Sequence, residues 1–263
     1  MPDGSFPARL LYMNAHLDKN VQSIVDRCRS LLFPDLFAEG GRQWAEDCRE
    51  LLREELSQTI SLCFRSAGRE GDSEAVALEF VAALPSLRQA LDKDVLATYN
   101  GDPAAENTAE VILCYPGIRA ISSYRIAHIL YMAGVPVLPR LITELAHSET
   151  GIDIHPAATI GESFAIYHGT GVVIGETAIL GNNVKLYQGV TLGAKSFPLD
   201  ADGNPVKGVL RHPILEDNVI VYSNATILGR VTIGHDAVIG GNIWVTDDVP
   251  AFARVVQSPK KYF

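Results

Sequence analysis

From residue 152 onward, aliphatic residues recur at six-residue intervals. A second aliphatic column lies two residues further on, and glycines fall near the joints, where a tight corner favours a residue without Cβ. A fixed short period is typical of a solenoid, in which each repeat stacks on the next. The period therefore predicts short strands joined by corners, with both columns stacked inside. A β-sandwich with an accidental period is the alternative. The first column comprises Ile154, Ile160, Ile166, Val172, Ala178, Val184 and Val190, then Val219, Ala225, Val231, Ala237 and Ile243. The second comprises Ile174, Leu180, Leu186 and Leu192, then Val221, Ile227, Ile233, Ile239 and Val245.

The first 147 residues have a different pattern. Between Arg42 and Phe64, apolar residues recur in steps of three and four, which predicts one face of an amphipathic helix. A second helix is predicted to begin at Ser73, and Pro and Gly residues divide the rest into further helices. We therefore predict an α+β chain with an α-helical oligomerisation domain at 1–147 and a β-helix catalytic domain at 148–263.

Composition narrows the class of protein. The chain has 263 residues, of which 47% are hydrophobic, and its longest apolar stretch, Ile129 to Pro139, is too short to cross a bilayer. It has no secretory signal pattern, so we expect a cytoplasmic protein. The net charge of −9 argues against a nucleic-acid surface. The four cysteines form no Cys-x-x-Cys pair, which favours buried free thiols over a disulfide framework or a zinc site.

The repeat is interrupted between Val190 and Val219. The polar segment at about 194–212 contains two Pro and two Gly, and it predicts a loop extruded from one corner, with a short tail closing the domain at the C-terminus. Asp200, Asp202 and Asn204 suggest a calcium loop as an alternative, although Gly203 is at the wrong offset and no Glu completes the ligand set.

Four motifs carry a family resemblance. They are DIHPAA from Asp153, HGTGVVIGET from His168, GVTLG from Gly189 and RHP from Arg211. Together with segments near Asp102 and Tyr124, they resemble serine O-acetyltransferase, the first enzyme of cysteine synthesis from serine. The resemblance covers about residues 100–250, with the longer loop of a variant branch, and the first 95 residues match only in being helical. It implies a left-handed parallel β-helix that transfers acetyl from acetyl-CoA to the hydroxyl of L-serine.

Such a transfer needs a base for the alcohol, a donor for the oxyanion and a grip on CoA. Histidine is the natural base near neutral pH. The resemblance identifies His168 as that base and Asp153 as the carboxylate that orients it. They are 15 residues apart, nearly one 18-residue coil, so they could lie on neighbouring rungs. A purely structural corner histidine is the alternative for His168, and we interpret His155 as structural.

The resemblance also implies two binding sites. For serine, Arg211 and His212 would grip the carboxylate, Asp102 would bind the amino group, and Glu176 would lie nearby. A solvent-exposed Arg, a turn at Asp102 and a corner hydrogen bond at Glu176 are the alternatives. For acetyl-CoA, the co-substrate, the implied residues are Gly193, Ala194, Lys195, Ser223, Lys260 and Lys261. A solvated tail is the alternative for the two C-terminal lysines, and no metal is expected.

Two departures from the family pattern bear on function. Tyr167 stands where the family has an Asp that helps to bind the serine ammonium group. A β-helix acyltransferase with another hydroxyl acceptor therefore remains open. The chain also lacks the terminal Ile tail with which family members bind O-acetylserine sulfhydrylase, so that complex is not predicted.

Two alternative functions and an oligomeric state remain to be considered. A zinc carbonic anhydrase would need three converging histidines, and His155, His168, His212 and His235 do not match its spacing. A non-catalytic scaffold is the other alternative. The resemblance implies a homotrimer or a dimer of trimers, with active sites between subunits.

Overall fold

The computed structural model describes residues 8–37 and 40–257. The chain divides into two compact units. One comprises the residues up to Arg88 together with Arg125–Leu145, and the other comprises Gln89–Tyr124 together with Ala146–Phe263. The predicted domain boundary at 147/148 stays a prediction.

The helices precede all of the described strands. None of the described helices is long and apolar enough to cross a membrane. Their bounds are α1 Ala8–Leu32, α2 Pro34–Phe37, α3 Arg42–Ser66, α4 Ser73–Gly101, α5 Thr108–Cys114, α6 Pro116–Met132 and α7 Leu138–Thr150.

Helix α3 shows how the apolar pattern produces the helical unit. It begins at Arg42 as predicted and ends at Ser66, and the residues spaced three and four apart along it are buried. It packs on α1, and at that contact the Arg27 guanidinium forms a half-buried ion pair of 3.0 Å with Glu55. The face that the pattern predicted is therefore buried along most of its length, but Leu51, which belongs to the same predicted face, is 47% exposed.

The cysteines are free, as expected. Cys28, Cys48 and Cys63 are buried in the helical unit. Cys114 is exposed, so the prediction of a buried thiol was wrong there. It is the last residue of the seven-residue helix α5, which buries only Val111.

The strands are two or three residues long and all pair in parallel. Sheet A has the order β1-β4-β7-β10-β13, sheet B has β2-β5-β8-β11, and sheet C has β3-β6-β9-β12-β14. Every third strand up to β13 thus returns to the same sheet, and in the last coil the isolated Ile233–Val249 bridge takes the place of a sheet B strand before β14. The chain therefore winds as a three-sided helix of five coils. The predicted fold class, an α-helical region followed by a left-handed parallel β-helix, is confirmed. The strands are β1 Asp153–Ile154, β2 Thr159–Ile160, β3 Ala165–Tyr167, β4 Val173–Ile174, β5 Ile179–Leu180, β6 Lys185–Tyr187, β7 Thr191–Gly193, β8 Ile214–Leu215, β9 Ile220–Val221, β10 Thr226–Leu228, β11 Thr232–Ile233, β12 Val238–Ile239, β13 Trp244–Val245 and β14 Arg254–Val255.

One detail of the predicted repeat was wrong. Ile154 pairs with Ile174, which makes the first coil 20 residues long, whereas the register from Ile174 to Leu192 gives the next coil 18. Ile154, Ile160 and Ile166 therefore belong to the second aliphatic column. Their places in the first column are taken by Ile152, Ala158 and Phe164, all of which are buried. The two additional residues lie in the corner after β3, which contains His168.

The segment between β7 and β8 folds as a short hairpin. Leu199 and Pro205 form an antiparallel bridge, and Oδ1 of Asp200 accepts hydrogen bonds from the backbone N–H groups of Asp202 and Asn204. This Asp200 side chain therefore caps the tip of the hairpin, as Asp often does in turns.

Candidate active site

His168 occupies a tight turn where the first coil passes from sheet C to sheet A. We call this edge of the β-helix the C–A corner. His168 has a left-handed φ of 59°, and the Gly169 N–H donates a 2.7 Å hydrogen bond to the Tyr167 carbonyl across it. Such a three-residue turn is strained for a residue with a side chain, and strain of this kind concentrates at functional sites. Gly169 and Gly171 also have positive φ, and this backbone conformation explains why the HGTG motif has glycine at both positions. The His168 side chain is exposed.

Asp153 lies beside the same corner. Its N–H donates to the Val172 carbonyl at 2.9 Å, and the Gly171 N–H donates to the Gly151 carbonyl at 2.8 Å. A Cβ on Gly169 would overlap the Ile152 side chain. The turn that bears His168 is therefore laid against the segment that begins β1, which brings the start and the end of the first coil together.

Asp102 follows the end of α4 and has both carboxylate oxygens engaged. Oδ1 accepts from the Ala104 N–H at 2.9 Å, and Oδ2 accepts from the Tyr115 hydroxyl at 2.8 Å. The bond to Asp102 raises the pKa of Tyr115 to about 12, so this phenol remains a donor at neutral pH. The carboxylate is therefore held in a defined orientation.

Tyr167 is buried next to this group. Its hydroxyl lies 3.4 Å from the Ala97 carbonyl, and a Cβ on Gly101 would overlap it. Burial, and then the neighbouring Tyr187, raise the pKa of Tyr167 to about 12. A neutral phenol therefore fills the place of the carboxylate that the family resemblance implies.

Arg211, His212 and Glu176 meet at a different edge, where the chain passes from sheet A to sheet B. We call this edge the A–B corner. Arg211 donates from Nη2 to Glu176 at 2.5 Å and from Nη1 to the Val209 carbonyl at 3.1 Å. Glu176 thus holds in place the guanidinium of Arg211, the residue at which the hairpin returns to the β-helix.

His212 is buried against Gly175, where any Cβ would overlap the imidazole. Its Nδ1 accepts from the Thr177 N–H at 3.0 Å, which leaves the proton on Nε2. Burial, and then the Arg211 charge, lower the pKa of His212 to about 4. His212 is therefore a neutral hydrogen-bond donor at physiological pH and is poorly suited to act as a base.

The residues predicted for CoA are divided in the same way. Gly193, Ala194 and Lys195 lie at the A–B corner, where the Gly193 carbonyl accepts from the Gly229 N–H at 3.0 Å. Ser223 lies at the C–A corner just before β10. Lys260 and Lys261 lie outside the described residues.

The predicted residues thus form two groups in one chain. His168, Asp153, Tyr167, Asp102 and Ser223 are at or near the C–A corner, and Glu176, Arg211, His212 and Gly193 to Lys195 are at the A–B corner. Within the second coil, sheet A separates the corners from Val172 to Gly175, which spans about 10 Å of extended chain. A single chain does not bring the two groups together.

Comparison with known proteins gives the family. No family profile matches the chain. A plasmid-encoded serine acetyltransferase of Synechococcus elongatus is 46% identical over 254 residues, which cover 89% of this chain and 79% of that protein. The chain belongs to the serine acetyltransferase family.

Solved serine acetyltransferases agree with this assignment. Serine acetyltransferase 1 of Entamoeba histolytica, in complex with L-cysteine, superposes with a TM-score of 0.80 at 36% identity and covers 89% of this chain and 86% of that one. The Brucella abortus enzyme in complex with coenzyme A gives 0.64 at 26% identity, covering 91% and 80%. The family predicted from the sequence is therefore confirmed, and the similarity extends into the helical region beyond the motifs. The predicted enzyme class, an acyltransferase, is confirmed by these relatives.

Several residues that hold the candidate site together were not predicted from the sequence. The Arg230 Nη1 donates to the carbonyls of Thr177 and His212, at 2.6 and 3.0 Å, and the Thr177 hydroxyl accepts from the N–H groups of Arg211 and His212. These bonds tie the return of the hairpin to the A–B corner. The motif GET contains Thr177, but neither Arg230 nor Tyr115 stands in a pattern that would have identified it.

Proposed function

We propose that this chain transfers the acetyl group of acetyl-CoA to the hydroxyl of L-serine, giving O-acetylserine and CoA for cysteine biosynthesis, with His168 as general base oriented by Asp153. The strained turn at His168 is the observation that carries the assignment. A left-handed histidine followed by Gly169 and Gly171, on an exposed corner whose turn packs on the segment that leads into Asp153, is better explained by catalysis than by packing.

In the reaction, the serine oxygen attacks the thioester carbonyl carbon while His168 takes the hydroxyl proton. The tetrahedral intermediate collapses with cleavage of the C–S bond, and the imidazolium returns the proton to the departing thiolate. Asp153 stabilises the imidazolium. General-base catalysis of this kind contributes on the order of 10²–10⁴ in rate.

The acceptor would be bound from two sides. Asp102, held by Tyr115, receives the serine ammonium group, and Arg211 with the neutral His212 receives the carboxylate. Tyr167 borders the amine side as a neutral group, and Glu176 holds Arg211 in place. Because the two sides lie at different corners of one chain, a complete site needs a neighbouring copy.

We therefore propose a homotrimer or a dimer of trimers. Rotational symmetry places the A–B corner of one subunit against the C–A corner of the next, which completes one site per interface. The same contact would join Gly193, Ala194 and Lys195 of one subunit to Ser223 of its neighbour, and so form the CoA groove. Lys260 and Lys261 would meet the phosphates from the tail. The coenzyme A complex of the Brucella relative supports this co-substrate.

Substitution of His168 tests the base. His168→Ala should lower kcat by about 10²–10⁴ with little change in the binding of CoA, measured as thiol release with serine and acetyl-CoA. His235→Ala, an exposed histidine at another corner, is the matched control and should retain activity. An unchanged rate for His168→Ala would favour a scaffold or a base elsewhere.

Tyr167 favours a second candidate, acetyl transfer to a hydroxyl of another small molecule. A neutral phenol attracts an ammonium group less than a carboxylate does, so an acceptor with a different amine environment would suit this site. Purified enzyme should be assayed with acetyl-CoA against serine and a panel of amino alcohols and sugars. Absence of serine turnover, with turnover of another member, would replace the first proposal with the second.

A further inference from the structure

Three tyrosines form a stack on the outside of sheet C, next to the C–A corner. Tyr167 pairs in register with Tyr187, and their ring centroids are 5.1 Å apart. Tyr187 stacks on Tyr222 with centroids 4.9 Å apart and planes inclined by 22°. The spacing matches the rise between neighbouring strands, so one ring lies on each of the first three coils.

The stack ends at a glycine. In the fourth coil the register continues from Ile220 and Val221 to Val238 and Ile239, so Gly240 takes the place next to Tyr222. In the fifth coil that place is taken by Val256, whose Cγ1 lies 3.6 Å from the position of a Cβ on Gly240. Gly240 therefore forms the floor of a slot walled by the Tyr222 ring and the Val256 side chain.

The slot has room for one ring. Tyr222 and Val256 are separated by two coil spacings, or about 10 Å. A flat ring in contact with both walls needs about 3.5–4 Å on either side, or about 7–8 Å in all. Tyr222 is 41% exposed and Val256 is 67% exposed, so both walls are accessible in this chain.

The surroundings of the slot indicate which ring it takes. Arg254 precedes Val256 by two residues and lies on the same outer face of β14, exposed, so it offers a cation beside the slot. Ser223 and Gly241 border it on the corner side, where the Ser223 carbonyl accepts from the Asn242 N–H. An aromatic ring such as that of Tyr222 stacks on a flat π-system, and a guanidinium such as that of Arg254 binds a phosphate. Together they would recognise a ligand that carries a flat ring next to a phosphate.

We propose that this slot binds the adenine ring of acetyl-CoA, stacked on Tyr222, with Arg254 near its phosphates. The proposal rests on the proposed function, which supplies acetyl-CoA as the donor. The slot lies three coils from the His168 turn, about 14 Å along the axis. The pantetheine arm and pyrophosphate would span that distance and bring the thioester to the histidine.

Tyr222→Ala tests the stack. Because loss of base stacking on one aromatic ring weakens binding by tenfold or more, the Kd of CoA measured by calorimetry should rise about tenfold. The Kd of pantetheine, which lacks the nucleotide, should not change. Tyr222→Phe keeps the ring and should bind CoA as the wild type does. Arg254→Ala should also weaken CoA and leave pantetheine unaffected.

The control is Phe252→Ala, which removes an exposed aromatic side chain of the fifth coil at the corner between sheets B and C. It should change neither Kd. Tyr222→Ala with an unchanged CoA Kd, or with equal weakening of CoA and pantetheine, would overturn the slot. Because this readout needs no acceptor, a wild type that binds CoA through Tyr222 but does not acetylate serine would refute the acceptor assignment alone.

Discussion

Tyr115 shows how one hydrogen bond can fix the orientation of a carboxylate. Its hydroxyl fixes Oδ2 of Asp102 while the Ala104 N–H fixes Oδ1. In Tyr115→Phe the carboxylate loses a charge-assisted bond and can rotate. We expect the KM for serine to rise by about three- to tenfold, with kcat and the KM for acetyl-CoA nearly unchanged.

The same substitution in the Asp102→Ala variant distinguishes a role in positioning Asp102 from a general role in the fold. Tyr115→Phe should have no further effect on serine kinetics in Asp102→Ala, because the group on which it acts is absent. Equal losses in both backgrounds would show that Tyr115 acts only through the fold.

His212 makes a pH-dependent contribution to stability. Its pKa is lowered to about 4 in the folded chain, against an ordinary value near 6.5 in the unfolded one. Between these values the unfolded state binds more protons, so the free energy of unfolding falls as pH is lowered from about 6.5 to about 4. At about 1.4 kcal/mol per pKa unit, we expect a loss of roughly 3 kcal/mol over this range, with a corresponding fall in Tm.

Scanning calorimetry across this pH range can isolate the histidine. His212→Gln should flatten the dependence, whereas the exposed His235→Gln should leave it as in the wild type. Equal slopes for wild type and His212→Gln would contradict the assignment.

At the scale of elements, the C–A corner of the first coil is the distinctive one. It holds two residues more than the corresponding corner of the second coil, and Gly169 at φ 87° allows the turn to pack on Ile152. Gly169→Ala would strain the backbone and push on that side chain. We expect kcat to fall about tenfold as His168 is displaced, measured under saturating serine and acetyl-CoA.

Gly68→Ala is a control for the backbone effect. Gly68 also has a positive φ, 62°, but it lies at the end of α3 with open space around its Cα. The Gly68→Ala substitution should lower Tm without changing kcat. An equal fall of kcat in both variants would mean that strain alone, and not the position of His168, limits the rate.

The elements also mark how far periodicity could predict the fold. Steps of three and four located α3 to within a few residues, since its buried face is set by local spacing. The six-residue period predicted the β-helix but assigned Ile154, Ile160 and Ile166 to the wrong column. A two-residue shift leaves the alternation of buried and exposed residues intact, so only strand pairing reveals it.

At the scale of the whole molecule, the proposed site is shared between copies. His168→Ala and Arg211→Ala should each be inactive when pure, because every site would lack one group. Trimers that contain both variants should recover about one of their three sites. In those sites one subunit contributes His168 and its neighbour contributes Arg211.

Differently tagged variants should be co-expressed, isolated by both tags and assayed for serine acetylation. Recovery of activity only in the mixed assembly is the expected result. Persistent inactivity, with both variants folded and assembled, would place the complete site within a single chain.

The sequence by itself determined the class of fold, the family and the residue types of the chemistry, because these depend on short-range periods and contiguous motifs such as HGTG. Only the tertiary structure decided which residues meet. It placed His168 in a left-handed turn packed on Ile152, gave Asp102 its partner Tyr115, and made His212 a neutral donor. It also divided the candidate site between two corners. The coil register, the two-residue insertion and the hairpin set these relations, and each joins residues far apart in the chain.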